Sequence, residues 1–440
     1  MADALSIYRT AVPTEFFFDL RKASGLRAEG GVYTAQVTAW AMMRQRLDAK
    51  GTLNTAVAEV TAGRPKALLP THKRLTEGTL SAETSSYSEA RKRLGVEVVN
   101  QVADRIFSYL QQASPEAVPG LGRQAFLMDG SSLTLPATPE LVKAYPPAPS
   151  RHGVSHWPVL KLVVATDLVS GIALRPSCGP MYGEQAVSEQ SLAKAALDQL
   201  PAGAVLVYDR NFGIFSSTHD ATKRDHPVVV RLTDARARCI LKGKLPQDTD
   251  EWVDWKPSRW DLAHHPELKA DDYVRGRVIA MQVTRQGRSI QIYFFTTLDL
   301  PAKQIAELYG YRWNIETDLR SLKETVHLHS LTAKSVDMVA KELVLGIAAY
   351  NLVRGTMVAA AHVAGINPRQ LSFSRVQDVV NSSLPSLAAA TDSPQEYQRL
   401  LDRMLRRAAK CKLPQRKRPR PSYPREVWPR GGSFPHRKRS

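Results

Sequence analysis

Cysteine is scarce in this chain: Cys178, Cys239 and Cys411 are the only three in 440 residues. They lie far apart, with neither disulfide-framework nor metal-ligand spacing, so a stapled secreted fold and a cysteine-bound metal are both excluded. No run of about 18 or more apolar residues is present, and no membrane partner is expected. Residues Met1 to Arg9 lack the charged-then-apolar pattern of a secretory signal. A reducing cytoplasm is the simplest compartment. No internal repeat is evident, which excludes a solenoid. Hydrophobic residues make up 43% and charged residues 23%, excluding a wholly disordered chain.

Acids are also in short supply. Asp plus Glu number 42 against 60 Lys plus Arg, a net charge of +18. Such a balance points to a polyanionic partner. The excess is unevenly placed. Residues Arg406 to Ser440 carry 13 Lys/Arg against Glu426 alone, leaving the first 405 residues only +6. The segment after Cys411 is rich in proline and reads as an extended basic tail, residues 411–440.

Six regions are expected along the chain. Residues 1–121 read as a helical N-terminal DNA-binding region. Its clearest helix spans Ser86 to about Gln112, with a Ser86/Glu89 capping box and a stripe of Leu94, Val98, Val102, Ile106 and Leu110. Arg64, Lys66, Lys73, Arg74 and Arg91 to Arg93 read equally as a DNA-binding face and as ordinary solvated surface. Residues 122–232 change to strands, at Ala125–Met128, Val159–Ala165, Ile172–Arg175, Val205–Tyr208 and Val228–Leu232, with helices over Glu184–Leu200 and Gly213–Arg224. This order gives an α/β fold. Residues 233–297 read as a mostly β insertion containing Trp252, Trp255 and Trp260. A long helix from Pro301 to about Thr325 opens residues 298–361, and 362–410 are helical.

Three acids stand where chemistry is expected. Asp129 and Asp209 each end an apolar strand, and loops at strand ends line sites in α/β folds. Asp129-Gly130 is equally a hairpin-turn signal, and Asp209 equally a helix N-cap. The long helix carries the third. On a helical wheel Tyr309, Arg312, Glu316 and Lys323 fall within about 60° of arc. They border the apolar face of Leu308, Ile315, Leu319, Leu322 and Val326. A simple surface ion pair, Arg312 with Glu316, is the alternative reading. Three carboxylates on separate elements suit two divalent cations for phosphoryl transfer, and Mg²⁺ takes oxygen ligands.

The stretch Tyr309-x2-Arg312-x3-Glu316-x6-Lys323 resembles the Y-x2-R-x3-E-x6-K signature of the insertion-sequence-four (IS-four) family of DDE transposases, with every spacing intact. Leu-Met-Asp129-Gly-Ser and Tyr-Asp209-Arg-Asn-Phe-Gly resemble the segments of that family's first two acids. Asn211 stands where glycine is frequent. The resemblance covers about residues 120 to 355. It implies a ribonuclease-H-like core interrupted by the β insertion. It also implies metal-dependent cut-and-paste transposition of an insertion sequence. Asp129, Asp209 and Glu316 would be catalytic metal ligands for two Mg²⁺ ions, with Mn²⁺ as a substitute. Tyr309, Arg312 and Lys323 would hold DNA phosphates. In some members an insertion-domain tryptophan stacks on a flipped base; Trp252, Trp255 and Trp260 are the candidates here, and a buried core position is the favoured reading of each. Double-stranded DNA, as terminal inverted repeats and target, would be the partner of a synaptic homodimer. A bacterial, nucleoid-associated location follows. A DNA-binding protein that has lost catalysis and a nuclease of the same fold are the alternatives.

Overall fold

The computed structural model describes residues 3–23, 31–48, 51–113, 118, 120–150, 153–243, 245–285 and 288–414. Seven helices come first: α1 (Ala4–Ala11), α2 (Thr14–Ala23), α3 (Ala35–Leu47), α4 (Leu53–Thr61), α5 (Lys73–Thr76), α6 (Ser85–Arg93) and α7 (Val96–Ala113). The helix expected from Ser86 is therefore two. It breaks at Leu94-Gly95, and the α6 N-cap, Thr84, makes no side-chain capping bond. The break re-phases the stripe. Val99, Val102, Ala103, Ile106 and Leu110 are buried, while Val98 is only partly so.

A mixed sheet and its helices follow: β1 (Ala125–Thr134), α8 (Pro139–Ala144), β2 (Pro147–Ser150), β3 (Gly153–Asp167), β4 (Ser177–Pro180), α9 (Glu189–Leu197), β5 (Val205–Tyr208), α10 (Phe215–Thr222), β6 (Val228–Leu232), α11 (Asp234–Ile240), β7 (Thr249–Trp255), α12 (Arg259–His264), β8 (Val274–Arg285) and β9 (Arg288–Thr296). The strand order is β2-β3-β1-β5-β6-β9-β8-β7, with β4 also on β3. β1, β5 and β6 run parallel, and the other pairs are antiparallel. The strands of residues 233–297 continue this same sheet, because β9 pairs with β6.

The expected strand Ile172–Arg175 does not form. Its Ala173 makes one isolated bridge to Thr166. The Asn351 amide instead takes both backbone groups of Ala173, donating to its carbonyl at 2.7 Å and accepting from its N–H at 2.8 Å. The Asp167–Gly171 turn forms as expected. Asp167 Oδ1 accepts from the N–H groups of Val169 and Ser170.

The described residues end with α13 (Ala302–Gly310), α14 (Trp313–Arg320), a π turn (Ser321–Thr325), α15 (Val336–Ala364), α16 (Phe373–Ala389) and α17 (Pro394–Ala409). α15 is long and apolar enough to cross a membrane, but that stretch is wholly buried inside the fold. It is the hub of the core: α1, α3 and α7 pack on it from the N-terminal region, and α16 and α17 from the C-terminal one. Each fully buried Leu, Ile or Val along it contributes about 2 kcal/mol relative to exposure. Gly355 permits close approach, since a Cβ there would meet Leu110 Cδ2 at 2.6 Å and Ile7 Cδ1 at 2.9 Å.

Part of the expected basic face is committed to this packing. Arg91 and Arg46 both pair with buried Glu342 of α15, at 2.6 and 2.7 Å. Lys66 pairs with Asp392, and Lys92 with Glu89. The basic tail beyond residue 414 lies outside the described residues.

Candidate active site

β1 and β5 are parallel neighbours in which Met128 is the register partner of Tyr208. The next residue on each is an aspartate, so Asp129 and Asp209 stand side by side. Asp129-Gly130 is not a turn. Both residues lie inside β1, paired with Val164 and Val163 of β3. Nor does Asp209 cap α10, whose N-cap is Ile214. Asp209 Oδ1 instead accepts from the N–H of Asn211 at 2.7 Å, holding the loop after β5.

The expected single helix from Pro301 is interrupted. At Tyr311, Arg312, Asn314 and Ile315 the backbone bonds run to the third residue back, which tightens the turn between α13 and α14. The π turn at Ser321–Thr325 then loosens it. The apolar face nevertheless lands as expected, with Leu308, Ile315, Leu319, Leu322 and Val326 all buried. α14 packs across β1, and its Glu316 is linked to Asp129 only through Arg312. Arg312 links them: its Nη2 donates to Glu316 Oε1 at 3.0 Å, and its Nη1 lies 3.9 Å from Asp129 Oδ2. The i,i+4 ion pair is thus real, and it is also part of the acidic cluster.

Behind α14 lies a buried anchor. Asp318 is fully buried and pairs with Arg354 of α15 and with Arg369, whose Nη1 donates at 2.6 and 2.8 Å. Thr166 Oγ1 of β3 donates to the same carboxylate at 3.0 Å. Two cations and a hydroxyl satisfy this anion, as burial of a charge demands. Glu316 is two residues away on the same helix, so the anchor sets its height over β1.

The electrostatics are those of crowded acids. Burial pushes the Asp129 carboxyl up to about 6, with the charges of Asp209 and Glu189 adding to the effect; the N–H of Gly130 and the Arg312 guanidinium oppose it. Burial also raises the Tyr309 phenol, against Arg312 and Arg231. Tyr309 packs on Phe294 of β9 with ring centroids 4.9 Å apart. Lys323 sits on the π turn, where burial lowers its pKa. Among the described residues no hydrogen bond or ion pair ties Lys323 to the three acids.

The tryptophans separate. Trp255 is core, edge-on to Phe295 at 4.9 Å and to Phe215 at 6.0 Å. Trp252 is exposed on β7, with the Arg275 and Arg277 guanidinium groups over its ring. Trp260 is 59% exposed and stacks on His264 at 4.2 Å. With Trp255, Phe215, His264, Arg236 and Gln190 it lines a cavity of about 670 Å³. Arg236 Nη1 donates to the Arg210 carbonyl at 2.5 Å, which joins this cavity to the Asp209 loop.

Sequence reasoning missed Glu189, Arg231 and Arg236, and the exposed Tyr311 and Trp313 that flank Arg312. The departure at Asn211 was the only signal. Its side chain bonds Glu189.

Among the described residues no group of three His, Cys, Asp or Glu side chains closes around one point, and Glu316 is paired with Arg312. The donor set still fits a hard divalent cation. It is all oxygen, and burial, with the charge of Asp209 adding to it, pushes the Asp129 carboxyl up to about 6.

The family described as Transposase DDE domain matches residues 120–352, more than half of the chain. The chain is 28% identical over 360 residues to Transposase InsG for insertion sequence element IS4 of Escherichia coli (strain K12), covering 80% of this chain and 78% of that one. These matches place the chain in the IS4 family of DDE transposases.

Proposed function

We propose that this chain catalyses metal-dependent cut-and-paste transposition of an insertion sequence. DNA would be cleaved at the terminal inverted repeats, and the freed 3′-hydroxyl would be joined to target DNA. The observation that carries this reading is the adjacency of Asp129 and Asp209, with Arg312 bridging Asp129 to Glu316. The β1-β5-β6 parallel core is read as the ribonuclease-H-like centre, and residues 233–297 as its insertion.

Asp129, Asp209 and Glu316 are the residues that would hold Mg²⁺ or Mn²⁺. Divalent cations bound there supply charge stabilisation for the attacking and leaving oxygens of phosphoryl transfer. The protein side chains do the positioning. Arg312 has five N–H donors and commits one hydrogen bond to Glu316, so the rest can take a phosphate oxygen. Tyr309 offers its phenol from beside Phe294, and Lys323 adds a cation further along the signature. Trp260, exposed at the mouth of the cavity beside the Asp209 loop, is the ring suited to stack on an unpaired base. Two copies on paired ends would form the working complex.

Labelled DNA carrying the element's ends, incubated with protein and Mg²⁺, tests the reading. Cleaved and joined products are expected, and Glu316→Ala or a chelator should abolish both. Cleavage that survives Glu316→Ala removes the site assignment. Cleavage without joining marks a nuclease, and binding without cleavage marks a DNA-binding protein.

A further inference from the structure

Glu189, the first residue of α9, lies on neither strand that carries an aspartate, yet it touches residues next to both. A Cβ on Gly130 would stand 2.4 Å from Glu189 Cδ and Oε1, so the carboxylate as placed lies directly against the bare glycine. Glu189 Oε2 accepts from Asn211 Nδ2 at 2.5 Å. The neighbouring Gln190 Nε2 donates to the Asn211 carbonyl at 3.0 Å and to its Oδ1 at 3.3 Å. Asn211 in turn donates its backbone N–H to Asp209 Oδ1 at 2.7 Å. Two side chains at the start of α9 thus grip the loop that aims Asp209. One of them is wedged against the strand that aims Asp129. A third carboxylate beside two others is electrostatically unfavourable, so a solvated acid would turn away; this one is held in.

We propose that Glu189 is a positioning residue for the aspartate pair. It holds the Asp209 loop through Asn211 and spaces that loop from β1 through Gly130. The proposal rests on the assignment of Asp129 and Asp209 as the cation-holding pair. It gives Asn211, where the family often has glycine, a role that glycine cannot fill.

Mn²⁺ binding to the full chain, followed by electron paramagnetic resonance, tests it alongside single-turnover cleavage of end DNA. Glu189→Ala and Asn211→Ala should each weaken Mn²⁺ binding about tenfold, the usual cost of losing an outer-shell partner. The double variant should bind no more weakly than the worse single one, because both act on one path. Glu189→Gln keeps an oxygen for Asn211 and should bind Mn²⁺ as the unmodified protein does, which also serves as the folding control. Unchanged Mn²⁺ affinity in Glu189→Ala overturns the proposal, as does multiplication of the two losses. A loss in Glu189→Gln equal to that in Glu189→Ala overturns it too, by marking Glu189 as a direct ligand. Absence of Mn²⁺ binding by the unmodified protein also removes it. A protein that shows the expected binding pattern yet cuts no DNA keeps Glu189 in this role and loses the transposition chemistry.

Discussion

Asp129 of β1 and Asp209, the first residue after β5, each follow one member of the Met128–Tyr208 register pair. Neighbouring strands are about 4.8 Å apart, so the two carboxylates share one small volume. The sheet brings the two chain segments together, and the loop after β5 then sets the Asp209 side chain through the Asn211 N–H. Arg312 is the guanidinium that balances them, between Asp129 and Glu316.

Arg312 should therefore matter for charge and for geometry. Arg312→Ala is expected to slow cleavage about a hundredfold, the usual cost of losing one preorganised donor. Arg312→Lys should recover little, since an ammonium cannot span two carboxylates as a planar fork does. Single-turnover cleavage of end DNA at saturating protein checks both.

The Asp129 carboxyl titrates near 6 in the folded protein, against an ordinary value of 3.8. An acid raised by folding contributes stability that is present below its unfolded pKa and lost as pH rises through the folded one. In chelator, Asp129→Asn should raise unfolding free energy at pH 8 by about 3 kcal/mol. The gain should shrink as pH falls toward 4. Urea unfolding at several pH values measures it.

Asp318 is a fully buried anion between Arg354 and Arg369. Removing it strands two buried cations, so Asp318→Ala should cost about 3–5 kcal/mol of stability. Thr166→Val removes one hydrogen bond to the same carboxylate and should cost about 1 kcal/mol. Chemical denaturation separates the two.

Trp255 and Trp260 line the same cavity but should fail differently. Trp255→Ala empties a core position and should cost about 3–5 kcal/mol. Trp260→Ala changes an exposed ring and should alter stability by less than about 0.5 kcal/mol. It should weaken binding to ends carrying an unpaired base by about 1–3 kcal/mol. Melting curves and a binding titration on such DNA report both.

Much of the site was legible because it depends on local spacing. β5 and β6 run over the residues expected from their apolar stretches. The Tyr309 to Lys323 spacing selected the signature helices although the helix is interrupted twice, since a tightened turn and a loosened turn leave Ile315, Leu319 and Leu322 facing the core. Elsewhere local signals misled. Asp129-Gly130 carries a turn signal, yet both residues pair with β3 inside β1, with the Glu189 carboxylate against the glycine. Ile172–Arg175 has strand composition, yet it meets β3 at a single isolated bridge, and the Asn351 amide takes both backbone groups of Ala173.

By itself the sequence determined the acids, their order and the apolar periods, because alternation and helical spacing are properties of neighbouring residues. It also determined the family, through a signature on one stretch of chain. Tertiary structure alone decided what those residues meet. Asp129 meets Asp209 because β1 and β5 pair in parallel across 80 residues of chain. Arg91 is spent on Glu342, Trp255 is buried while Trp260 is not, and Glu189 comes against Gly130 through the packing of α9 on the sheet. Long-range contacts depend on how whole faces pack, and no local pattern encodes which residue stands opposite which.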